Sequence, residues 1–223
     1  MKKVVTVKRR ALAANEERAE ALRSRFAASG TLVANLISSP GSGKTTLLEA
    51  TVRGLAGELT TAVIEGDVAT ENDADRIRAL GIPAHQILTG GACHLDARQV
   101  ETGIEDAGLP EVDILFIENV GNLICPTTYD LGEDFKVVLL SVTEGDDKPV
   151  KYPAIFARAE VAVITKSDLL PHVPFDLESV KSQISSLNPN GTVLVTSSLS
   201  GDGVEHWLEL LRARLQGKRQ NQG

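Results

Sequence analysis

Three things that the sequence lacks narrow the classes of protein it can encode. The chain of 223 residues contains two cysteines, too few for a disulfide framework, and this favours a reducing compartment. No apolar run approaches the roughly 20 residues of a membrane helix, and the basic N-terminus is followed by a stretch too polar for a secretory signal. Positive charge is not in excess, because the net charge is −7, so neither nucleic acid nor an anionic membrane is expected as a partner. We therefore expect a cytoplasmic protein.

What the sequence contains is an alternation of short buried strands and helices. Six segments are continuous in apolar, often β-branched residues and predict strands: 31–39, 60–67, 112–119, 136–143, 161–168 and 191–198. Helical spacing is found in another five: 11–28, 44–56, 73–80, 94–108 and 203–215. This alternation predicts an α/β fold with a doubly wound, mostly parallel sheet, in which ligands bind at the carboxyl ends of the strands.

The chain is predicted to form one domain. Its length suits a single core, and no internal repeat or low-complexity linker divides residues 1–223. We expect an N-terminal helix at about 8–29 and a disordered tail at about 217–223.

The stretch NLISSPGSGKTTLLEA, residues 35–50, has the features of a phosphate-binding loop between a strand and a helix. Its two glycines let backbone N–H groups turn toward phosphates, and the following helix adds its N-terminal dipole. Lys44 is expected to reach the β- and γ-phosphates, and the Thr45 hydroxyl is expected to hold Mg²⁺. Ser38 stands where the pattern G-x-x-x-x-G-K-S/T has its first glycine. The predicted nucleotide-binding residues of the loop are Gly41, Ser42, Gly43, Lys44, Thr45 and Thr46.

A second motif, TKSD at residues 165–168, resembles the guanine-binding pattern N-K-x-D with threonine in place of asparagine. The Asp168 carboxylate can accept from N1–H and the exocyclic amine of guanine, a pair of donors that adenine lacks. Lys166 can lay its stem over the base, and Thr165 can bond within the loop. Ser198 and Leu199, in the loop after the last strand, are expected to offer backbone N–H groups to the guanine carbonyl. The alternative is an ordinary solvated strand end.

The stretch FIENVGN ends another predicted strand and resembles a switch segment. Glu118 is expected to bind Mg²⁺ through water, and Asp67, at the end of the second strand, points to the same ion. The Gly121 N–H is expected to sense the γ-phosphate. Asn122, which is shorter than the glutamine of fast GTPases, is expected to position water poorly, so hydrolysis should be slow. The alternative for Asp67 and Glu118 is solvation of strand ends.

The two cysteines lie near residues that suit metal binding. Cys93 is followed by His94 and is predicted to start a helix, where a thiolate is favoured. Cys125 trails the segment that contains Glu118. Three such ligands are too few for a closed zinc site, but a dimer would supply enough. The residues alone leave this interpretation open, because a lone cysteine is usually a small buried apolar side chain.

These motifs together resemble the HypB family of GTPases, which help deliver nickel to NiFe hydrogenase. The resemblance runs from about residue 30 to 175 and is carried by SSPGSGKT, TGGACHLDA, LFIENVGNLICPTTYDLGE and TEGDDKPVKYP. It explains Ser38, since the family writes its phosphate loop in this way. The N-terminal C-x-x-C-G-C motif or histidine-rich tract of many members is not found in this sequence, so storage of nickel there is not expected.

The resemblance implies a fold in the branch of phosphate-loop GTPases that dimerise with nucleotide. It implies that Cys93, His94 and Cys125 bind Ni²⁺ or Zn²⁺ at the dimer interface, and that GTP or GDP binds with Mg²⁺. Implied partners are a nickel-binding accessory protein and the hydrogenase large subunit, and in some species urease is served as well. The expected catalytic residues are Lys44, Thr45, Asp67, Glu118, Gly121 and Asn122. Those expected at Mg²⁺ are Thr45, Asp67 and Glu118.

Three other functions fit parts of the sequence. A urease-type nickel GTPase shares the fold, but its expected C-P-H segment does not match Cys93–His94 or Cys125–Pro126. Asp168 is evidence against an ATP-dependent kinase or partitioning ATPase. Glu118 and Gly121 are evidence against a nucleotide-held scaffold without turnover. The role of Lys148 stays open between a contact to the nucleotide of a second subunit and a solvated loop.

Overall fold

The structure is a computed structural model that describes residues 2–67 and 72–221 of the chain. In these residues, seven strands form one sheet in the order β3-β2-β4-β1-β5-β6-β7, and every neighbouring pair is parallel. The strands are β1 Leu32–Ser38, β2 Thr61–Asp67, β3 Ala84–Leu88, β4 Ile114–Glu118, β5 Phe135–Ser141, β6 Val161–Thr165 and β7 Thr192–Val195. This confirms the predicted parallel α/β fold.

Helices cover both faces of the sheet. The α-helices are α1 Lys2–Ser29, α2 Lys44–Leu55, α3 Asn72–Arg78, α4 Ala97–Asp106, α5 Lys148–Lys151, α6 Pro153–Arg158, α7 Leu177–Leu187 and α8 Val204–Gln220. Short 3₁₀ helices span Cys125–Thr128, Val142–Glu144 and Ser167–His172. Apolar side chains of α2, α3 and α8 pack on one face, and those of α1, α4, α6 and α7 pack on the other. None of the described helices is long and apolar enough to cross a membrane.

Close packing of α2 against α8 holds the helix that follows the phosphate loop. The Trp207 indole N–H donates to Thr51 Oγ1 at 2.9 Å, and both side chains are buried. A Cβ at Gly54 would lie 2.5 Å from a methyl carbon of Leu208, so α8 approaches α2 at a point where only glycine fits. Because α2 is fixed in this way, its N-terminus has a fixed position relative to β1.

The strand order brings the carboxyl ends of β1, β2 and β4 together. In the register of the sheet, Leu36 of β1 pairs with Glu118 of β4, and Glu118 pairs with Glu65 of β2. The segments that follow β1 and β4 therefore leave the same edge of the sheet, at which Asp67 ends β2. They carry the phosphate loop and the switch segment.

Several elements differ from the sequence-based prediction. Strand β3, at the sheet edge, was not predicted because its His85 and Gln86 interrupt the apolar pattern. Helices α5, α6 and α7 were also not predicted. Helix α1 begins at Lys2 instead of near residue 8. The predicted disordered tail is wrong for residues 217–220, which continue α8, because Lys218 Nζ bonds to Thr31 O and the Asp134 carboxylate. The last two residues of the predicted tail lie outside the described part.

Candidate functional site: a phosphate loop beside a cysteine–histidine group

The phosphate loop has the backbone that its glycines predict. Gly41 has φ +76° and Gly43 has φ +91°, values that favour glycine, and α2 begins directly afterwards at Lys44. Lys44 and Thr45 are each 7 % exposed. The loop therefore aims the N-terminus of a twelve-residue helix and a buried cation at one small volume, which suits a chain of phosphates.

Ser38 bonds within the loop. Its Oγ accepts from Lys44 Nζ at 2.9 Å and donates to the Ser39 carbonyl at 2.6 Å. The hydroxyl thus holds the lysine ammonium over the loop. Ser38 is fully buried at the end of β1, and its hydrogen atom has a partner, so the residue stabilises the turn where other phosphate loops have a glycine.

Glu118 faces Lys44 and Thr45 from the end of β4. Its Oε1 accepts from Thr45 Oγ1 at 3.2 Å and lies 3.8 Å from Lys44 Nζ. Its Oε2 is buried without a hydrogen-bond partner. Burial raises the pKa of Glu118 to about 7, although Lys44 opposes the shift. A hydroxyl next to a carboxylate oxygen with a free lone pair fits a hard divalent cation such as Mg²⁺.

Glu65, on the neighbouring strand, is a site residue that the sequence analysis missed. Both carboxyl oxygens are buried without hydrogen-bond partners, and the side chain is 1 % exposed. Burial and the Glu118 carboxylate raise the pKa of Glu65 to about 9. A charged residue inside the strand TTAVIEGD was the available signal, because buried carboxyls are rare away from functional sites.

Asp67 and Gly121 are the other two residues expected at the nucleotide. Asp67 is the last residue of β2, next to the strand that ends at Glu118. A Cβ at Gly121 would lie 2.8 Å from a ring carbon of Pro40, so the backbone of Gly121 lies directly against the phosphate loop. Gly121 is thus packed against the loop that is expected to hold the phosphates.

The segment predicted to bind the base, residues 165–168, is hydrogen-bonded to the phosphate loop. Thr165 Oγ1 donates to the Ser42 carbonyl at 2.6 Å, and Lys166 Nζ donates to the Gly41 carbonyl at 2.7 Å. Lys166 has φ +59°, the one positive value among the described non-glycine residues. A left-handed lysine is strained, which is common where a side chain is held for function.

Asp168 is held by a serine that the sequence analysis did not name. Ser197 Oγ donates to Asp168 Oδ1 at 2.5 Å, while Ser197 N–H donates to the Asp202 carbonyl. This ties the TKSD segment to the loop with Ser198 and Leu199. Leu199 is 87 % exposed, so the loop is open to a ligand.

The two cysteines and the histidine come together on the same edge of the protein. One ligand atom from each of Cys93, His94 and Cys125 lies within 4.8 Å of the others. The His94 ring stacks on Tyr129 with centroids 3.8 Å apart, and burial lowers the His94 pKa. A neutral imidazole beside two thiols is a donor set that suits Ni²⁺ or Zn²⁺.

Three details near this group bear on the predictions for Cys93 and Asn122. Helix α4 starts at Ala97 with Asp96 as its N-cap, so Cys93 lies in the preceding loop and not at a helix start. The hydrogen bond with Cys125 raises the pKa of Cys93, so no thiolate is favoured without a metal. The Asn122 amide, which was expected to position water poorly, bonds to Cys93 O and to the N–H of Ile124.

The fold and these residues define a phosphate-loop nucleotide-binding protein with a cysteine–histidine group beside the nucleotide site. Residues 32–195 match the family model for the CobW/HypB/UreG nucleotide-binding domain. Hydrogenase maturation factor HypB of Escherichia coli K12 is 50 % identical over 200 residues, which cover 90 % of this chain and 69 % of the relative. The chain belongs to the HypB family of hydrogenase maturation factors.

Two crystal structures are similar to the chain. That of HypB from Archaeoglobus fulgidus has a TM-score of 0.86 at 41 % identity, and the match covers 92 % of this chain and all of the other. That of HypB from Helicobacter pylori in complex with nickel has a TM-score of 0.86 at 42 % identity, covering 93 % and 96 %. Both matches cover more than nine-tenths of this chain.

Proposed function

We propose that the chain is a GTP-hydrolysing metallochaperone that helps insert nickel into the large subunit of NiFe hydrogenase. The observation that carries the proposal is one short segment, 118–125. It begins with a carboxylate at the phosphate loop and ends with a cysteine at the metal group. A segment that contacts both sites can change one when the ligand of the other changes.

The proposed nucleotide is GTP with Mg²⁺. Thr45 and the unpartnered oxygen of Glu118 would hold the cation together with Asp67, and the cation would neutralise phosphate charge. Asp168, oriented by Ser197, favours guanine over adenine. The Asn122 amide is engaged elsewhere, so we expect slow intrinsic turnover on the order of 10⁻⁴ to 10⁻² s⁻¹.

The proposed metal site is completed by a second copy of the chain. Three donors leave a four-coordinate ion without a closed shell, and two facing groups would supply the missing ligands. Ile124, next to Cys125, is 66 % exposed, which suits a surface that becomes covered in a dimer. Nickel is favoured as the cargo because the Helicobacter pylori relative was crystallised with it, and Zn²⁺ fits the same donors.

Lys148 is proposed to act on nucleotide phosphates. Ser42 Oγ of the phosphate loop donates to Glu144 Oε1 at 2.5 Å, and Lys148 Nζ lies 3.8 Å from Glu144 Oε2. The ammonium also lies 5.5 Å from the centroid of the Tyr152 ring. One carboxylate thus links the phosphate loop to this lysine, which favours a contact to nucleotide, in the facing subunit, over a purely solvated position.

The proposal includes the partners that the family implies. They are a nickel-binding accessory protein and the hydrogenase large subunit, and the chain would meet them in the cytoplasm. Relatives from Helicobacter hepaticus and Helicobacter pylori are described as hydrogenase/urease maturation factors, so urease is the second candidate client. Nickel delivery to each apo-enzyme by the loaded chain would separate the two clients.

The test of the proposed activity is phosphate release from GTP and from ATP by the purified chain with Mg²⁺. We expect slow release from GTP and a preference over ATP of about 100-fold or more, as expected for a site that pairs with donors of the base. Asp168→Ala should remove the preference, and Lys181→Ala, a surface lysine paired with Glu178, is the matched control. Equal turnover of the two nucleotides by the wild-type chain would contradict the GTPase assignment.

A further inference from the structure

Two asparagine side chains join the segment after β4 to the loop with the first two metal ligands. Asn119 Oδ1 accepts from the backbone N–H of Leu95 at 3.1 Å. Asn122 Nδ2 donates to the backbone carbonyl of Cys93 at 3.2 Å. The two hydrogen bonds therefore bracket His94, one on the peptide group before it and one on the peptide group after it.

Asn119 belongs to the part of the chain expected to respond to the terminal phosphate. It directly follows Glu118, and its Oδ1 also accepts from the N–H of Val120 at 3.0 Å. The side chain is 1 % exposed. One buried oxygen therefore accepts from the backbone of the switch segment and from the backbone of the loop that contains Cys93 and His94, here called the metal loop. A displacement of Val120 would therefore shift the oxygen that accepts from Leu95.

The nitrogen of the same amide is anchored in the sheet. Asn119 Nδ2 donates to Asn35 Oδ1 of β1 at 3.3 Å, and Asn35 Nδ2 donates to Glu133 Oε1 at 3.2 Å. Glu133 Oε2 accepts from the N–H of Leu131, in the loop beyond Cys125. Buried polar networks of this kind fix one arrangement when every member is satisfied. The nitrogen of the Asn119 amide is thus bonded to β1, and its oxygen is shared by the backbone N–H groups of Val120 and Leu95.

We propose that Asn119 and Asn122 are positioning residues that couple the nucleotide state to the metal group by fixing the backbone on both sides of His94. The inference rests on the proposed function, because coupling requires that both ligands bind. In this role the two amides touch neither the metal nor the nucleotide. They transmit a difference between the two nucleotide states, without which no coupling exists.

The test is a titration of the full-length chain with Ni²⁺, under anaerobic conditions, with GDP and with a non-hydrolysable GTP analogue, each with Mg²⁺. The ratio of the two dissociation constants for Ni²⁺ measures the coupling. Asn119→Leu removes the shared acceptor at similar volume. Asn122→Ala removes the hydrogen bond to the Cys93 carbonyl, which lies near the surface. This second variant still tests the inference if Asn119→Leu does not fold.

A matched control is provided by Asn15 of α1. Its Oδ1 accepts from the N–H of Ala97 at 2.9 Å, and the side chain is 6 % exposed. It is thus a second buried amide tied to the same end of the metal loop, but its described hydrogen bonds do not reach residues 118–122. Asn15→Leu should loosen the loop equally in both nucleotide states.

For the wild-type chain we expect the two dissociation constants for Ni²⁺ to differ by about tenfold. In Asn119→Leu they should lie within about twofold of each other, and in Asn122→Ala their ratio should be several-fold smaller than in wild type. Asn15→Leu should weaken both affinities and keep the ratio. Retention of the wild-type ratio by both switch variants would overturn the inference and leave the proposed function intact. A wild-type ratio of one, with GTP and Ni²⁺ both bound, would contradict the proposed function itself.

Discussion

The phosphate loop and the metal group differ in how completely one chain builds them. Lys44, Thr45 and Glu118 are buried and already bonded to one another. Cys93 is exposed, Cys125 is partly exposed, and the group offers three donors. Within one chain the phosphate loop and its facing carboxylate are thus assembled, whereas the cysteine–histidine group has three donors, one fewer than a closed four-coordinate zinc site uses.

The difference follows from the elements that hold the residues. Lys44 and Thr45 start a helix that packs on the sheet, and Glu118 ends a buried strand. Cys93 lies in a loop before α4, and Cys125 opens a short 3₁₀ helix. Rigid elements suit a site that must be formed in advance, while loops suit a site that changes with its partner.

The largest expected effect is that of Lys44→Ala, which should break the nucleotide site alone. Loss of charge-assisted bonds to two phosphates should weaken nucleotide binding about 100-fold or more, as measured by calorimetry. The Ni²⁺ affinity of the nucleotide-free chain should stay within about twofold of wild type, because Lys44 has no contact with the metal group. Lys181→Ala is the matched control, since this lysine pairs with Glu178 on α7, outside the site.

A parallel fall in nucleotide-free Ni²⁺ affinity would show that the two regions are one cooperative unit. The comparison between a site complete in one chain and an incomplete one would then be wrong.

Cys125→Ser should impair metal binding and leave the nucleotide site intact. Replacing a soft ligand should weaken Ni²⁺ binding about 10- to 100-fold, read from thiolate-to-nickel absorption bands. The affinity for GDP should change little, because Cys125 lies outside the phosphate loop. Tyr129→Phe, which keeps the ring stacked on His94, should behave like wild type. If Cys125→Ser binds Ni²⁺ normally while Cys93→Ser does not, the donor set is smaller than proposed.

Glu65→Gln tests whether the buried carboxyl beside the phosphate loop is protonated in the folded chain, through the pH dependence of stability. Because the pKa of Glu65 is raised from 4.5 to about 9, the folded chain holds a proton that the unfolded chain has lost between these values. Stability should therefore fall as the pH rises through this window. In metal-free buffer with chelator, the stability of the variant relative to wild type should rise by about 3 kcal/mol between pH 4.5 and pH 7, as measured by denaturant unfolding.

The control for this prediction is Glu58→Gln, which changes an exposed carboxylate paired with Arg212. A pH slope that is the same in wild type and Glu65→Gln would mean that Glu65 is ionised in the folded chain and bound to an unrecognised partner.

The fold and the nucleotide loop could be predicted because their signals are local. Continuous apolar strands and the glycine spacing around Ser42 predict a parallel sheet with a phosphate loop. Strand β3 was missed because an edge strand needs few apolar residues. The helical end of the chain was missed because Lys218 is held by Asp134, a contact that no local pattern encodes.

The metal group and the polar network could be predicted only in part. Cys93 and Cys125 are far apart in sequence, so spacing alone left the metal interpretation open and the family resemblance favoured it. Glu65 and Asn119 lie inside strands or at their ends, where a polar residue has no characteristic spacing. Their burial and their partners are results of tertiary packing.

The most direct test of the central claim is the molar mass by light scattering together with the metal content of the same samples. The chain would be measured under anaerobic conditions with Ni²⁺, once with GDP and once with a non-hydrolysable GTP analogue. The account predicts a dimer that contains nickel with the analogue, and less of both with GDP. A monomer that binds nucleotide but no metal in either state would contradict it, because Cys93 and Cys125 would then have no role in nickel handling.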